Sequence, residues 1–357
     1  MLRVALRGKK DGKLTLNITT VAAWLMSQTS DFRVTHHANK SMSVVVESHT
    51  AQKQFVLLYP TWSGLLCYTG VAAARGTGFA TPHDTADWLE KLLEHPYDQP
   101  RSPQHIARLI MSEGDSWLPK VPPKDRRTTF TMIAYDGAIP RFWMISNFER
   151  PGQSPQPVGD DKLLVTTFKV KKPKCIVTGW TPAVSADQRE LLLDLIAFKP
   201  DPDELADAAA IVNRDSAPTA KDFPSDESGV SEECIVATLS PNGSGQILVY
   251  GDLPNEFIPR LVISGRNFDL AATLQQQGNV GSQLDSISWP DRPQTLGAGM
   301  QTAPCVRVRA RSGFKWPDDP DRGPARKVPV EITMSPTDSA PPGTKPVTVR
   351  WMHRENG

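Results

Sequence analysis

The stretch GLLCYTGVAAARGTGFATPHDTADWLEKLL, residues 64–93, sets a glycine-rich turn between an apolar run and a helix. Two readings compete for it. The glycines could cradle a phosphate, or they could let two backbones approach closely where a strand leaves a sheet. The spacing is G-x5-G-x-G, and no Lys-Ser or Lys-Thr pair follows, so neither a dinucleotide fingerprint nor a P-loop is present. A packed junction is the expectation. LLCY reads as a short buried strand. Thr81 is the expected cap of the following helix, Pro82 its first residue and Asp84 an acid at its positive end. Trp88, Leu89, Leu92 and Leu93 then share one helical face.

Working outward, SPQHIARLIM repeats the device with Ser102 and Pro103, and predicts a second amphipathic helix burying Ile106, Leu109 and Ile110. Strands follow in TTFTMIAY and RFWMIS around Asp136-Gly137, then in LLVTTFKV and KCIVTG. Ser185 with Gln188 is a capping box ahead of Leu191, Leu192, Leu195 and Ile196. Asp201, Pro202 and Glu204 open a further helix through Leu205, Ala208, Ala209 and Val212. ECIVATLS and GQILVYG form a hairpin about Pro241-Asn242-Gly243. Upstream, LRVALRG and KLTLNIT flank Asp11-Gly12 as a hairpin. TTVAAWLM, SDFRVTHH, SVVVES and QFVLLY supply more strand material. Strands, two helices, strands, two helices, strands: this order predicts an α+β layered body.

The bulk numbers narrow the function. With 357 residues the chain can bury a full core. A net charge of +1 supplies no field for nucleic acid or an anionic membrane. The 32 prolines are densest after residue 300, which predicts an irregular tail. Cys67, Cys175, Cys234 and Cys305 form no CxxC pair and read as buried thiols of a reducing compartment. No apolar run approaches the ~20 residues of a membrane span, and MLRVALRGKKDGKL lacks the apolar core of a signal peptide. A cytoplasmic location is expected. The seven histidines never adopt HExxH or a pairing with Cys, so neither a metal nor a cofactor is expected.

Several phrases, taken in order, resemble the proteasome-like branch of the N-terminal nucleophile (Ntn) hydrolase superfamily. They are SDFRVT (30–35), LLCYTGVA (65–72), DTADWL (84–89), TTFTMIAYDG (128–137), RFWMISNFE (141–149), KCIVTG (174–179), the helix at 190–196 and GVSEECIVATL (229–239). The resemblance implies a four-layer αββα sandwich over residues 1–252, with residues 253–357 as a Pro/Gly-rich extension carrying short strands. It also implies assembly with further copies or with a protein partner.

Chemistry in that superfamily needs a Thr, Ser or Cys with a free α-amino group, which acts as its base. If SDFRVT marks the aspartate-bearing strand end, Asp31 and Arg33 correspond to the supporting acid and arginine, and Lys40 is the nearest lysine. Thr15 and Thr19 are then the candidate nucleophiles, with Thr20 beside them. Leu14 and Ile18 precede them instead of the expected small residue. If the KKDG turn marks the register, the nucleophile position falls on Met1 or Leu2, and neither can act. Both registers depart from an active site, so a non-peptidase scaffold or interaction protein is the first reading. An active threonine-type amide or peptide hydrolase, exposed by self-cleavage, is the alternative. A third reading draws on Arg307, Arg309 and Arg311 at period two near Trp316, a pattern suited to single-stranded nucleic acid. Asp318, Asp319 and Asp321 offset it, and no wider basic surface supports it.

Overall fold

The computed structural model describes residues 15–32, 34–37, 44–48, 53–59, 61–74, 83–96, 99–123, 125–137, 139–153, 155–156, 158–217, 230–251, 260–263, 265–267, 286–288, 305–310, 327–334 and 347–354. The chain enters through β1 (Leu16–Val21) and β2 (Met26–Asp31), antiparallel neighbours joined by a bend in which Ala22 N–H donates to the Leu25 carbonyl at 2.8 Å. The strand expected in TTVAAWLM therefore straddles a corner. Four apolar residues turn it with no Gly, Pro, Asn or Asp, so no turn residue betrays the corner.

Next come β3 (Val34–His37), β4 (Val44–Ser48), β5 (Gln54–Leu58), β6 (Ser63–Gly70), β7 (Ala73–Ala74) and β8 (His83–Asp84). The helix of the opening stretch, α1 (Thr85–Leu93), begins three residues later than expected, with Asp84 in place of Thr81 as its cap, accepting from Asp87 N–H. Thr81 and Pro82 lie outside the described residues, as do Gly76 and Gly78. Gly70 is described and explains itself. Its φ is +96°, and a side chain there would meet the Arg127 carbonyl, so a strand packed hard against its neighbour requires glycine.

α2 (Pro103–Trp117) is capped by Ser102 with Pro103 in the first turn, as expected. β9 (Thr128–Tyr135), β10 (Arg141–Ser146), β11 (Leu164–Lys169) and β12 (Lys174–Gly179) follow. α3 (Ala186–Ala197) carries both arms of the Ser185–Gln188 capping box, and Asp201 caps α4 (Pro202–Ser216). Then come β13 (Cys234–Leu239), β14 (Gly245–Tyr250), β15 (Arg260–Ile263), β16 (Arg266–Asn267), β17 (Ser286–Ser288), β18 (Cys305–Ala310), β19 (Lys327–Met334) and β20 (Val347–Arg354).

Two seven-stranded sheets result. One runs β12-β1-β2-β13-β14-β18-β17 and the other β11-β10-β9-β6-β5-β15-β16, while β3-β4, β7-β8 and β19-β20 form two-stranded ribbons. Neighbours are antiparallel except β14 with β18 and β5 with β15, where strands from the C-terminal third add in parallel. The class is mixed α+β.

Three apolar clusters tie the elements together, and strand alternation sorts residues among them. Val21, Met26, Ile235 and Val249 of the first sheet meet Leu65, Ile133, Phe142 and Met144 of the second. The opposite parity of the second sheet, Leu66, Tyr68, Phe130 and Trp143, packs on Leu89, Leu93, Ile106 and Ile110 of α1 and α2. The opposite parity of the first, Leu16, Ile18, Val236 and Leu248, packs on Leu192, Ile196, Leu205 and Ala209 of α3 and α4. At about 25 cal/mol per Å² of buried apolar area, such faces carry most of the folding free energy.

Candidate functional site

The residues facing between the sheets change character along the strands. In β1 the inward series is Asn17, Thr19, Val21; in β6 it is Leu65, Cys67, Thr69; in β9 it is Thr129, Thr131, Ile133, Tyr135; in β10 it is Phe142, Met144, Ser146. The ladders set Thr69 opposite Thr129 and Thr129 opposite Ser146, while Asn17 lies opposite Thr178 and Leu16 opposite Gly179. One end of the inter-sheet space is thus apolar. The other is lined by hydroxyls, amides and charges, almost all of them buried.

Buried polar groups need partners, and here most have them. The Asn17 carbonyl oxygen accepts from the Thr19, Thr131 and Thr178 hydroxyls at 3.1, 3.1 and 3.4 Å. Gln28 Nε2 reaches across the sheets to Thr131 and along its own sheet to Thr19 Oγ1. Thr19 is therefore a network member in mid-strand, with Gln28 and Ile176 beside it in the two ladders. A chain cut before Thr19 would sever β1 between its neighbours.

Asp31 ends β2. Its Oδ2 accepts the Leu16 N–H at 3.1 Å, and its Oδ1 meets Lys53 Nζ at 2.9 Å, with the two charged side chains 0% and 1% exposed. The lysine that pairs with Asp31 is thus Lys53, just ahead of β5; Arg33 and Lys40 lie outside the described residues. Cys67 sits beside this pair and Ser30, but burial pushes its thiol up to about 12, which keeps it protonated and inert as a nucleophile.

Thr15 stands one residue ahead of β1. Its carbonyl accepts the Trp180 N–H at 3.0 Å, and its residue is 7% exposed. Its hydroxyl has no hydrogen-bond partner among the described residues. The hydroxyls of Thr20, Ser27, Thr69 and Thr238 share that state, but each lies within a strand. Thr15 differs in standing outside its strand and next to the Leu16 N–H that Asp31 holds.

Gly179 closes the site from the other side. Its φ is +81°, and a side chain there would strike the Thr15 carbonyl. The Gly179 N–H donates to Glu149 Oε1 at 3.0 Å, and Thr129 Oγ1 donates to Glu149 Oε2 at 2.6 Å. Burial raises the Glu149 carboxyl to about 7, against the lowering effect of these hydrogen bonds and of Arg127. Sequence reasoning missed both Lys53 and Glu149. Lys53 stands as a single charge ahead of the apolar run QFVLLY, and Glu149 opens the polar Pro/Gly loop ERPGQSPQPVGDD. The usable signal was the period-two run of Thr, Asn and Ser at one end of several strands.

Arg307 and Arg309 lie on β18, between β14 and β17, and Arg311 and Trp316 fall outside the described residues. Among the described residues no group of three or more His, Cys, Asp or Glu could hold a metal ion, and no helix is long and apolar enough to cross a membrane.

No family model matches this chain, and no curated protein matches it. Among solved structures, Anbu (ancestral beta-subunit) from Yersinia bercovieri is similar at a TM-score of 0.37 and 12% identity, over 63% of this chain and 82% of that one. A likeness of that size assigns neither fold nor family. Membership in the proteasome-like branch of the Ntn hydrolases, expected from the ordered phrases, is accordingly withdrawn. The phrases are strand cores and helix faces, whose apolar alternation and caps arise in any layered α+β protein. They record how elements bury themselves, not descent.

Proposed function

We propose that this protein is a threonine-type amide hydrolase, latent until the chain is cut between Leu14 and Thr15. One observation carries the reading: a buried, unpartnered Thr15 hydroxyl stands next to a peptide N–H held by the buried Asp31–Lys53 pair. An unsatisfied buried hydroxyl costs about 1–3 kcal/mol, and an ion pair withdrawn from water on both sides is weak evidence for stability. Together at one strand end they suit chemistry better than folding.

The cut frees the α-amino group of Thr15, whose ordinary pKa is about 8. That amine takes the Thr15 Oγ1 proton as the oxygen attacks a substrate amide carbonyl. The C–N bond breaks, the amine leaves with the proton, and an ester on Thr15 remains for water to hydrolyse. Asp31 orients the Leu16 peptide, and the Lys53 ammonium disfavours a proton on the neighbouring amine. The four-layer αββα arrangement belongs to this reading, supported by the three clusters that join helices to sheets and sheet to sheet. Residues 253–357 act in it as an extension whose strands lengthen both sheets.

Intact mass and amino-terminal sequencing of the purified protein test the proposal. A chain beginning at Thr15, acylated there by a β-lactone probe, is expected; Thr15→Ala stays uncut and unlabelled. An uncut wild-type chain that takes no label overturns it. That outcome favours a second reading, a non-peptidase scaffold or interaction protein working with further copies or a protein partner. Leu191 and Phe198, 52% and 85% exposed at α3, support that reading as an apolar contact surface.

A further inference from the structure

Glu149 is 4% exposed, yet the hydrolysis above does not use it. It follows the end of β10, and its carboxylate is shared between two structures. Oε1 accepts the Gly179 N–H at 3.0 Å and the Thr181 hydroxyl at 3.5 Å, from the last residue of β12 and the turn that follows it. Oε2 accepts the Thr129 hydroxyl at 2.6 Å, and Thr129 Oγ1 lies 2.7 Å from Ser146 Oγ. Ser146 Oγ in turn accepts the Phe148 and Glu149 N–H groups at 3.2 and 2.9 Å. The Gly179 turn presses on Thr15 through its backbone, and the Trp180 N–H holds the Thr15 carbonyl.

We infer that Glu149 is a positioning residue for Thr15, clasping the Gly179–Trp180 turn against the threonine and setting the grip by its charge. The inference rests on the Thr15 reading. A charge-assisted hydrogen bond is roughly twice as strong as a neutral one. With Glu149 ionised, Gly179 N–H is held by an anion, Thr129 donates to Oε2 and Ser146 donates to Thr129. With Glu149 protonated at Oε2, the hydroxyl chain reverses: Glu149 donates to Thr129, and Thr129 to Ser146. No heavy atom moves, but the Ser146 hydroxyl, already accepting the Phe148 and Glu149 N–H groups, loses Thr129 as its acceptor, and Gly179 leans on a neutral carbonyl oxygen. The hydroxyl pair and the Gly179 N–H therefore both favour the ionised form, and that form grips harder.

The charged groups around this carboxyl come from three sides. Arg127, ahead of β9, favours the ionised form. Arg150 is turned to the Ser146 and Glu149 carbonyls at 3.1 and 2.7 Å and to Asp160 at 4.0 Å. Arg189 of α3 donates to the Thr181 carbonyl at 2.6 Å. Asp31 and Lys53 lie at the far side of Thr15. Burial brings the Glu149 carboxyl to about 7, so the grip changes near neutral pH.

The test uses the full chain labelled with 13C-carbonyl threonine and 15N-glycine, which isolates the amides of Gly70, Gly78 and Gly179. The Gly179 amide is expected to shift between pH 5.5 and 8.5 with a midpoint of about 7, and to stay fixed in Glu149→Gln. In parallel, β-lactone labelling of wild type should rise through that midpoint. Glu149→Gln should label several-fold more slowly with that break gone, Glu149→Asp should restore a break, and Glu149→Ala should lose tenfold or more. A Gly179 amide that does not titrate, or a Glu149→Gln labelling profile matching wild type, overturns the inference. If Gly179 titrates through Glu149 but no form is cut or labelled at any pH, the clasp stands and the Thr15 reading falls.

Discussion

The two ends of the space between the sheets are built by the same strands and behave differently. At one end Val21, Leu65, Ile133, Tyr135 and Phe142 interdigitate as an ordinary apolar core. At the other, Asn17, Thr69, Thr129, Asp31, Lys53 and Glu149 fill an equally buried volume with groups that must be paired or must be used. The apolar end gains free energy from burial and tolerates modest repacking. The polar end loses it unless every donor finds an acceptor. Among the described residues the Thr15 hydroxyl, just ahead of its strand, is left without a partner at this end, and the proposed function is placed there for that reason.

The largest expected effect breaks this contrast from the polar side. Thr15→Ala abolishes both chain cleavage and β-lactone labelling, read by intact mass, while the melting temperature holds or rises as an unsatisfied hydroxyl is removed. Removing one charge of the buried pair comes next. Lys53→Met takes the ammonium from the buried Asp31 carboxylate, at a cost of about 3–5 kcal/mol in urea unfolding, and Asp31→Asn in the same chain recovers much of it. Leu65→Ala at the apolar end costs a comparable ~2–5 kcal/mol, but the cut at Thr15 proceeds at its wild-type rate in the folded fraction. If Leu65→Ala stops the cut and Lys53→Met does not, the division of labour between the ends is wrong.

A pH series sharpens the comparison further. The Glu149 carboxyl is raised from 4.5 to about 7 in the folded protein. Over that interval the folded state holds the proton that the unfolded state releases, so stability falls as pH rises from about 4.5 to about 7 and is flat above. The loss is at most about 3 kcal/mol, at 1.36 kcal/mol per unit. Glu149→Gln should flatten that segment of the urea-midpoint profile. Smallest of all is Phe198→Ser on the exposed end of α3. Its stability should change by less than about 0.5 kcal/mol, and light scattering reads whether self-association weakens.

Much of the architecture was legible because it rests on local rules. Ser102-Pro103, the Ser185–Gln188 box and Asp201-Pro202 each mark a helix start that the backbone requires and that only short polar side chains or proline satisfy. TTFTMIAY and RFWMIS announce β9 and β10 by alternation and by Gly137 between them. Failures came where a signal was missing. The corner at residues 22–25 has no turn residue, and the cap of α1 was assigned to Thr81 because Asp84 looked like an acid already inside the helix. Nothing local distinguishes Lys53 from Lys40, or Glu149 from any other acid in a polar turn.

From its own residues the chain determined which segments form strands, where α2, α3 and α4 begin, and that Gly70 marks a tight junction. Those depend on neighbours within a few positions, where sterics and backbone hydrogen bonding act. Only the tertiary structure decided that Asp31 meets Lys53, 22 residues away, and that Glu149 reaches Gly179, 30 residues away. It also decided that Thr15 is sealed where these groups converge. Those pairings are set by which strand ends two stacked sheets bring together, and burial gives each group its chemistry only once they have met.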